Sequence, residues 1–280
     1  MVLPPGGGRL GQTRIAEEVA AALRHRILTA DLVNGSELPK QDELVAEFGV
    51  SYPSVREGLR ILETEGLITI RRGNVGGAIV HAPDEGTAGY ALGLTLQALR
   101  VNVTDLANAL AELEPLAAKA CAARPDRAEV VIPRLEELVA ISEEHLTDDV
   151  EFTRIARAFH DEIVSFHENA TLRLVIGSLT SLWSVQEEQW AQTAAPSGSY
   201  PAADERNDVI VTHRRIIELI AAGDGEAVAR LAGSHLSATH QRVCLNLKDR
   251  VIDAASPQAR ARIRRPPHSR FITERRLPAE

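Results

Sequence analysis

The run Val50–Gly77, VSYPSVREGLRILETEGLITIRRGNVGG, leaves its backbone few options. Ser51 is a good helix N-cap, and Pro53 fits a first turn, where its missing N–H would have no partner anyway. Val55, Leu59 and Leu62 recur at three-to-four spacing, so they share one face of a helix, which Gly66 ends. The short alternating runs LITI and AIVH follow, joined by a turn containing Gly73, Gly76 and Gly77, and this predicts a β-hairpin. Upstream, the pattern predicts a short helix around Asp42–Phe48 with Leu44, Val45 and Phe48 inward. Before the turn NGSELP, a helix capped by Thr13 carries Ile15, Val19, Leu23 and Ile27. Three helices and a hairpin in this order make a winged helix-turn-helix over residues 13–82.

The remainder is helical in pattern, so the expected fold class is mainly α. Residues 1–12 are expected to be a flexible arm and 83–101 a linker. From 102 to 248 the periodicity is helical with no credible strand, which predicts an all-helical antiparallel bundle that binds an effector and dimerises. Within it, AQTAAPSGSYPAADE reads as a polar loop. Residues 249–280 carry too little apolar content for a core and are expected to be a basic, disordered tail.

Charge is distributed unevenly along the 280 residues. The net charge is −8, yet residues 1–80 net −1 and residues 248–280 net +5, which leaves −12 for the middle. A nucleic-acid-binding domain is often basic overall. This head is not, so any DNA contact must rest on clustered arginines. No apolar run approaches the roughly 20 residues that span a bilayer, and the first residues lack the apolar core of a secretory signal. Cys121 and Cys244 lie far apart on helical patterns, which suits a reducing compartment better than a disulfide framework. A cytoplasmic protein without a membrane partner is expected.

Arg56 and Arg60 are four apart and therefore share a face of the third helix, opposite Val55, Leu59 and Leu62. The second helix of a helix-turn-helix presents such a face to the major groove, where arginine can bond guanine N7 and O6 together. Ser51, Tyr52 and Ser54 at the helix start can donate to phosphates or bases, and Lys40 adds a cation nearby. Arg71 and Arg72 at the wing root suit phosphate contacts, with Gly73 and Gly76 allowing close approach. The bland alternative pairs these arginines with Glu57 and Glu63 on a solvated helix.

The stretch LPKQDELVAEFGVSYPSVREGLRILETEGLITIRRGNVGGAIV resembles the DNA-binding domain of the GntR family of bacterial transcription regulators. The helical block behind it resembles the ligand-binding FCD domain of the FadR-like subgroup. The resemblance implies a homodimer on a palindromic operator in double-stranded DNA, most often as a repressor, with a small-molecule effector, commonly a carboxylic acid. Family members commonly carry arginines at the positions occupied here by Asp42 and Tyr52; only the arginine of VRE is kept, as Arg56. That departure puts the operator in doubt, not the fold.

The resemblance also implies a metal site. In the family, one aspartate and three histidines hold a divalent ion; the histidines match His160, His213 and His235, while the aspartate position is Ala156. Three imidazoles suit zinc or nickel, with a further position open to water or to an effector oxygen. An arginine that often holds the effector carboxylate is replaced by Leu110, which implies a less charged or more apolar effector. Asn169, near the start of the next helix, is expected to hydrogen-bond that effector. Two other readings stay open. One is a ligand-independent DNA-binding protein with a degenerate sensor. The other is a metal-dependent hydrolase with a DNA-binding head, although Asp161 and Glu162 are expected to point away from His160 and no nucleophile motif occurs, so no enzyme is expected.

Overall fold

The computed structural model describes residues 7–71, 77–247 and 249–263, with only the helical backbone for 7–12. It divides into two compact units, residues 1–83 and 84–280.

The first unit contains α1 (Gly7–Leu28), α2 (Gln41–Phe48), α3 (Tyr52–Thr64) and a hairpin of β1 (Ile68–Arg71) and β2 (Gly77–Val80). Helix α1 already runs from Gly7, six residues before the expected cap at Thr13. Its buried face is Ala16, Val19, Ala20, Leu23 and Ile27, while Ile15 is exposed. The 3.6-residue period selects that stripe, and Ile15 falls just outside it. Gly49 adopts φ 64° and ends α2, donating its N–H to Val45 O; this left-handed residue makes the turn between α2 and α3. Gly58 lets α3 lie close on α1, because a Cβ there would sit 3.0 Å from Ala16 O and 3.1 Å from a Val19 methyl. Leu44, Val55 and Leu62 are fully enclosed in the resulting core. Truncating such a leucine to alanine costs about 2–5 kcal/mol. In the wing, Ile68 pairs with Val80 and Arg71 with Gly77. The far edge of β2 is covered by residues 35–38, through Gly35 N–H to Val80 O and Leu38 N–H to Ala78 O.

The second unit is helical: α4 (Glu85–Ala98), α5 (Val103–Ala123), a π-helical turn (Arg127–Val131), α6 (Ile132–Glu144), α7 (Asp149–Ser165), α8 (Ala170–Ser197), α9 (Ala203–Ala222), α10 (Gly225–Leu247) and α11 (Pro257–Ile263). Three expectations change here. The expected linker is α4, started by the Asp84 carboxylate accepting from Thr87 N–H at 2.8 Å. Its glycines hide its helical character from a hydrophobic pattern; they serve close packing, since a Cβ on Gly89 would sit 2.4 Å from Ser181 Oγ of α8. The first part of the expected loop after Trp190 is the end of α8, which closes at Gly198 with φ 70°, and its last residues begin α9. Part of the expected tail is folded. Ile252 N–H bonds Val101 O, Val103 N–H bonds Arg250 O, and the Gln97 side-chain oxygen accepts from Ala254 and Ala255 N–H. Ile252, Ala254, Ala259 and Ile263 are fully buried. These few apolar residues suffice because α4 and α8 supply the rest of the core. Residues 264–280, with most of the tail's arginines, lie outside the described residues. Among the described residues, no helix is long and apolar enough to cross a membrane.

Candidate functional site

In the first unit, α3 separates its residues as an amphipathic helix should. Ser54, Val55, Leu59 and Leu62 face inward; Ser51, Tyr52, Arg56 and Arg60 face water. Ser54 is a correction. It is 2% exposed and its hydroxyl bonds Ser51 Oγ at 3.0 Å, so it braces the helix start and is not available to DNA. Arg56 has no ion-pair partner among the described residues. Arg60 lies 3.5 Å from Glu57 and Arg71 3.5 Å from Glu37, exposed pairs that hold a cation only weakly. Glu63 instead accepts the Ile70 backbone N–H at 3.1 Å, fixing the root of the wing. Lys40 is exposed ahead of α2, its backbone N–H bonded to the Glu43 carboxylate at 2.8 Å. Arg72, Gly73 and Gly76 lie outside the described residues.

One pairing was not anticipated. The Tyr52 hydroxyl hydrogen-bonds the Asp42 carboxylate, which raises the Tyr52 pKa above its ordinary value. The two positions that depart from the resembling family therefore interact with each other, and an anionic pair occupies the place of two cations.

In the second unit, α7, α8, α9 and α10 line a pocket. His160 of α7, His213 of α9 and His235 of α10 meet on its wall. His213 Nε2 lies 3.2 Å from Nε2 of His160 and 3.2 Å from Nε2 of His235. A zinc ion with imidazole bonds of 2.0–2.1 Å in a tetrahedron needs nitrogens about 3.3 Å apart. Hydrogen bonding alone serves these three rings poorly, since His213 Nε2 cannot be donor and acceptor at once. A shared cation satisfies all three lone pairs. The rings are also in the neutral form that a metal requires. Burial, then His213 and Arg157, pushes His160 well down; burial, then His235, does the same to His213; burial and Arg157 bring His235 to about 4. Phe159 stacks on His213 at 3.9 Å and fixes its ring plane. Among the described residues the cluster contains these three histidines and no carboxylate. Ala156 lines the pocket one turn before His160.

Beside the imidazoles lies a buried ion network. Arg157 makes a two-pronged contact with Glu114 at 3.0 and 2.7 Å and bonds Asp161 at 3.0 Å. Asp161 thus turns to Arg157 and is not part of the imidazole cluster. Burial would lower the Arg157 pKa, but Glu114 and Asp161 reverse this and raise it, so the guanidinium stays charged.

Two expected effector residues are elsewhere. Leu110 is fully buried in apolar packing with Trp183 and Val243 and does not line the pocket. Asn169 is exposed and caps α8, its side-chain oxygen accepting from Thr171 and Leu172 N–H at 3.0 and 3.1 Å. Cap chemistry, legible in the dipeptide Asn-Ala ahead of a helix, explains Asn169 without a ligand. The residues missed are Arg157, Glu187, Trp190, Tyr200, Arg206 and His240, all lining the pocket. Burial raises Glu187 to about 7, and burial, then Arg157, lowers His240 to about 3. Tyr200 and Arg206 were hidden by the polar composition around them. Trp190 gave a signal, because a helical tryptophan among glutamates and glutamines has a polar N–H to satisfy.

Comparison with known proteins adds identity to this geometry. Residues 15–76 match the family described as "Bacterial regulatory proteins, gntR family", and residues 105–238 match the FCD domain. The chain is 26% identical over 242 residues to an uncharacterized HTH-type transcriptional regulator, Rv0494, of Mycobacterium tuberculosis, covering 85% of this chain and 93% of that one. It is 24% identical over 250 residues to the HTH-type transcriptional repressor NanR of Cronobacter sakazakii, covering 86% and 91%. A solved structure, Streptococcus agalactiae GntR, superposes with a TM-score of 0.61 at 21% identity, over 81% of this chain and 99% of that one, a likeness of fold. With a GntR head followed by an FCD domain, the chain belongs to the gntR family of bacterial regulatory proteins.

Proposed function

We propose that this DNA-binding transcription regulator is a homodimeric, cytoplasmic repressor whose FCD domain senses a small acid through a bound divalent ion. The observation that carries the reading is the meeting of three imidazole nitrogens, two pairs of them 3.2 Å apart, on the wall of a pocket. His160, His213 and His235 would hold the ion. Its chemistry would be that of a positive charge able to attract an effector oxygen. Ala156 leaves the space where a fourth ligand would stand, so the acid can reach that position. Arg157 contributes little to binding it, being already committed to Glu114 and Asp161.

In the head, Arg56 is the main base-reading residue, Ser51 and Tyr52 contact the DNA at the helix start, and Arg60, Arg71 and Lys40 neutralise phosphates. A two-fold dimer places two such helices on two half-sites of a palindrome. The effector must bind the DNA-bound and free states with different affinity for the sensor to regulate. A ligand-independent protein would have no use for a pocket lined by neutral imidazoles, which disfavours that alternative.

The test is elemental analysis of protein purified without a histidine tag, followed by zinc and nickel titration of wild type and Ala156→Asp. About one metal per chain is expected, with Ala156→Asp binding metal more tightly and small carboxylates more weakly. Sub-stoichiometric metal, with no thermal shift on adding zinc, nickel or manganese, would refute the reading.

A further inference from the structure

The start of α3 carries an acid, although the outside of DNA is itself anionic. Tyr52 is the first residue of α3 and Asp42 stands in the first turn of α2, and both are exposed. Tyr52, Arg56 and Arg60 follow at four-residue spacing and share one water-facing stripe, with Tyr52 itself 48% exposed. The Tyr52 hydroxyl donates to the Asp42 carboxylate and so ties the start of α2 to the head of that stripe. The ion pairs described in this unit take up Glu18, Glu65, Glu47, Glu57 and Glu37 and leave out Asp42. Its neighbour Glu43 bonds the Lys40 backbone N–H at 2.8 Å.

In a helix-turn-helix the first residues of the recognition helix meet base edges, whereas the helix before it crosses the phosphates. A carboxylate set against phosphates would be repelled; bonded to Tyr52, it belongs to the end that meets bases. There its oxygens can only accept, and the Tyr52 hydroxyl, whose proton is engaged by Asp42, can only accept as well. The major-groove edges of the four bases answer this differently. Guanine shows N7 and O6, both acceptors, and thymine shows the acceptor O4 beside a methyl. Adenine shows the N6 amino donor but sets the N7 acceptor next to it. Cytosine shows the N4 amino donor with no acceptor on that edge. An acceptor-only pair therefore fits cytosine best, as the donor-only Arg56 fits guanine.

We infer that Asp42, positioned by the Tyr52 hydroxyl, reads the N4 amino group of one cytosine in each half-site. This rests on the proposed placing of α3 in the major groove with Arg56 on a base, and deepens it. The reading pair is held by its surroundings. Left-handed Gly49 sets the turn between α2 and α3, while Pro53 and the 3.0 Å bond between Ser51 and Ser54 brace the first turn of α3. A pair that only pinned α2 to α3 would affect every DNA sequence alike. A reading pair changes the preference at one base pair.

The experiment selects operators from random duplexes with the full-length protein, then titrates the best site and its single-base variants by fluorescence anisotropy. Replacing the preferred cytosine by thymine, which exchanges the N4 donor for the O4 acceptor, should weaken wild-type binding about tenfold. Asp42→Ala should level that position to within about twofold and leave the guanine preference of Arg56 in place. Asp42→Asn keeps the size and should move the preference to adenine, whose N6 and N7 a carboxamide bonds together. Tyr52→Phe, which removes the anchor of the carboxylate, should reduce the cytosine discrimination about threefold. An Asp42→Ala protein with the wild-type selection profile, or with affinity lowered equally for every sequence, overturns the inference. So does a preference for any base but cytosine at the position that Asp42→Ala levels. If Arg56→Ala then still abolishes a guanine preference, the placing of α3 stands. A wild-type protein that selects no sequence brings down that placing as well.

Discussion

The exposed face of α3 and the wall of the FCD pocket both carry polar groups without a partner among the described residues. On α3, Arg56 stands in water, which satisfies its donors. In the pocket, Trp190 Nε1 and Arg206 Nε are sealed from solvent, with no hydrogen-bond partner among the described residues. The first surface can wait for its ligand at little cost, and salt screens it. The second leaves buried donors unpaired, which costs free energy that a group bonding them would recover. The same contrast extends to charge: Arg60 and Arg71 of the head form exposed, loose pairs, whereas Arg157 is locked among buried carboxylates.

The largest expected effect lies on the buried side. His213→Gln removes the nitrogen shared by both 3.2 Å contacts and should weaken zinc by on the order of 100-fold or more, while leaving effector-free operator binding in place. Zinc titration with a competing chromophoric chelator measures it, and an unchanged zinc affinity would remove His213 from the metal site.

Acid should also separate the two regions. His235 and His240 are held at about 4 and about 3 in the folded chain, against about 6.5 when unfolded. Below that upper value the unfolded chain takes up protons that the folded one refuses. Stability present above pH 6.5 is therefore lost as pH falls toward 4, by roughly 3 kcal/mol for His235 alone. The head contains no buried histidine among its described residues. Both tryptophans belong to the helical unit, so their fluorescence reports that unit in urea titrations of metal-free protein from pH 7.5 to 5. A pH-independent midpoint would show that the rings are not held neutral by burial.

On the exposed side, Arg56→Ala should cost about 1–3 kcal/mol per half-site at the cognate operator, read by mobility shift. A folded Arg56→Ala protein with wild-type affinity would move the base-reading role elsewhere. The smallest effect belongs to Tyr52→Phe, which breaks the exposed bond to Asp42. A change below about tenfold, confined to operator preference, is expected when operator variants are compared, because exposed pairs contribute little. A uniform loss across all sequences would instead place Tyr52 on phosphates.

The head was legible because its signals are local. The N-cap position at Ser51, the left-handed glycine at Gly49 and the stripe of Val55, Leu59 and Leu62 each act within a few residues. The histidine positions were legible through resemblance to a family, and periodicity placed them on helices. Helix α4 was not legible, because Gly89 and Gly93 weaken a hydrophobic pattern and gain their meaning only from Ser178, Ser181 and Leu182 of α8 and from Ala254 lying against them. The segment around Ile252 and Ile263 has few apolar residues, and α4 and α8 complete its core.

What the sequence by itself determined, then, is the set of elements whose causes lie within one or two turns: the winged helix-turn-helix, the run of helices after it and the exposed arginine face. Tertiary structure alone decided that three imidazoles from α7, α9 and α10 meet at 3.2 Å, that Asp42 bonds Tyr52, and that Leu110 and Asn169 stay out of the pocket while Glu187, Trp190 and Arg206 line it. The physical reason is range. Caps, turns and periodicity act through neighbouring backbone, whereas a pocket is made by side chains brought together from positions more than eighty residues apart, such as Arg157 and His240, and whether a polar atom there finds a partner depends on every helix packed around it.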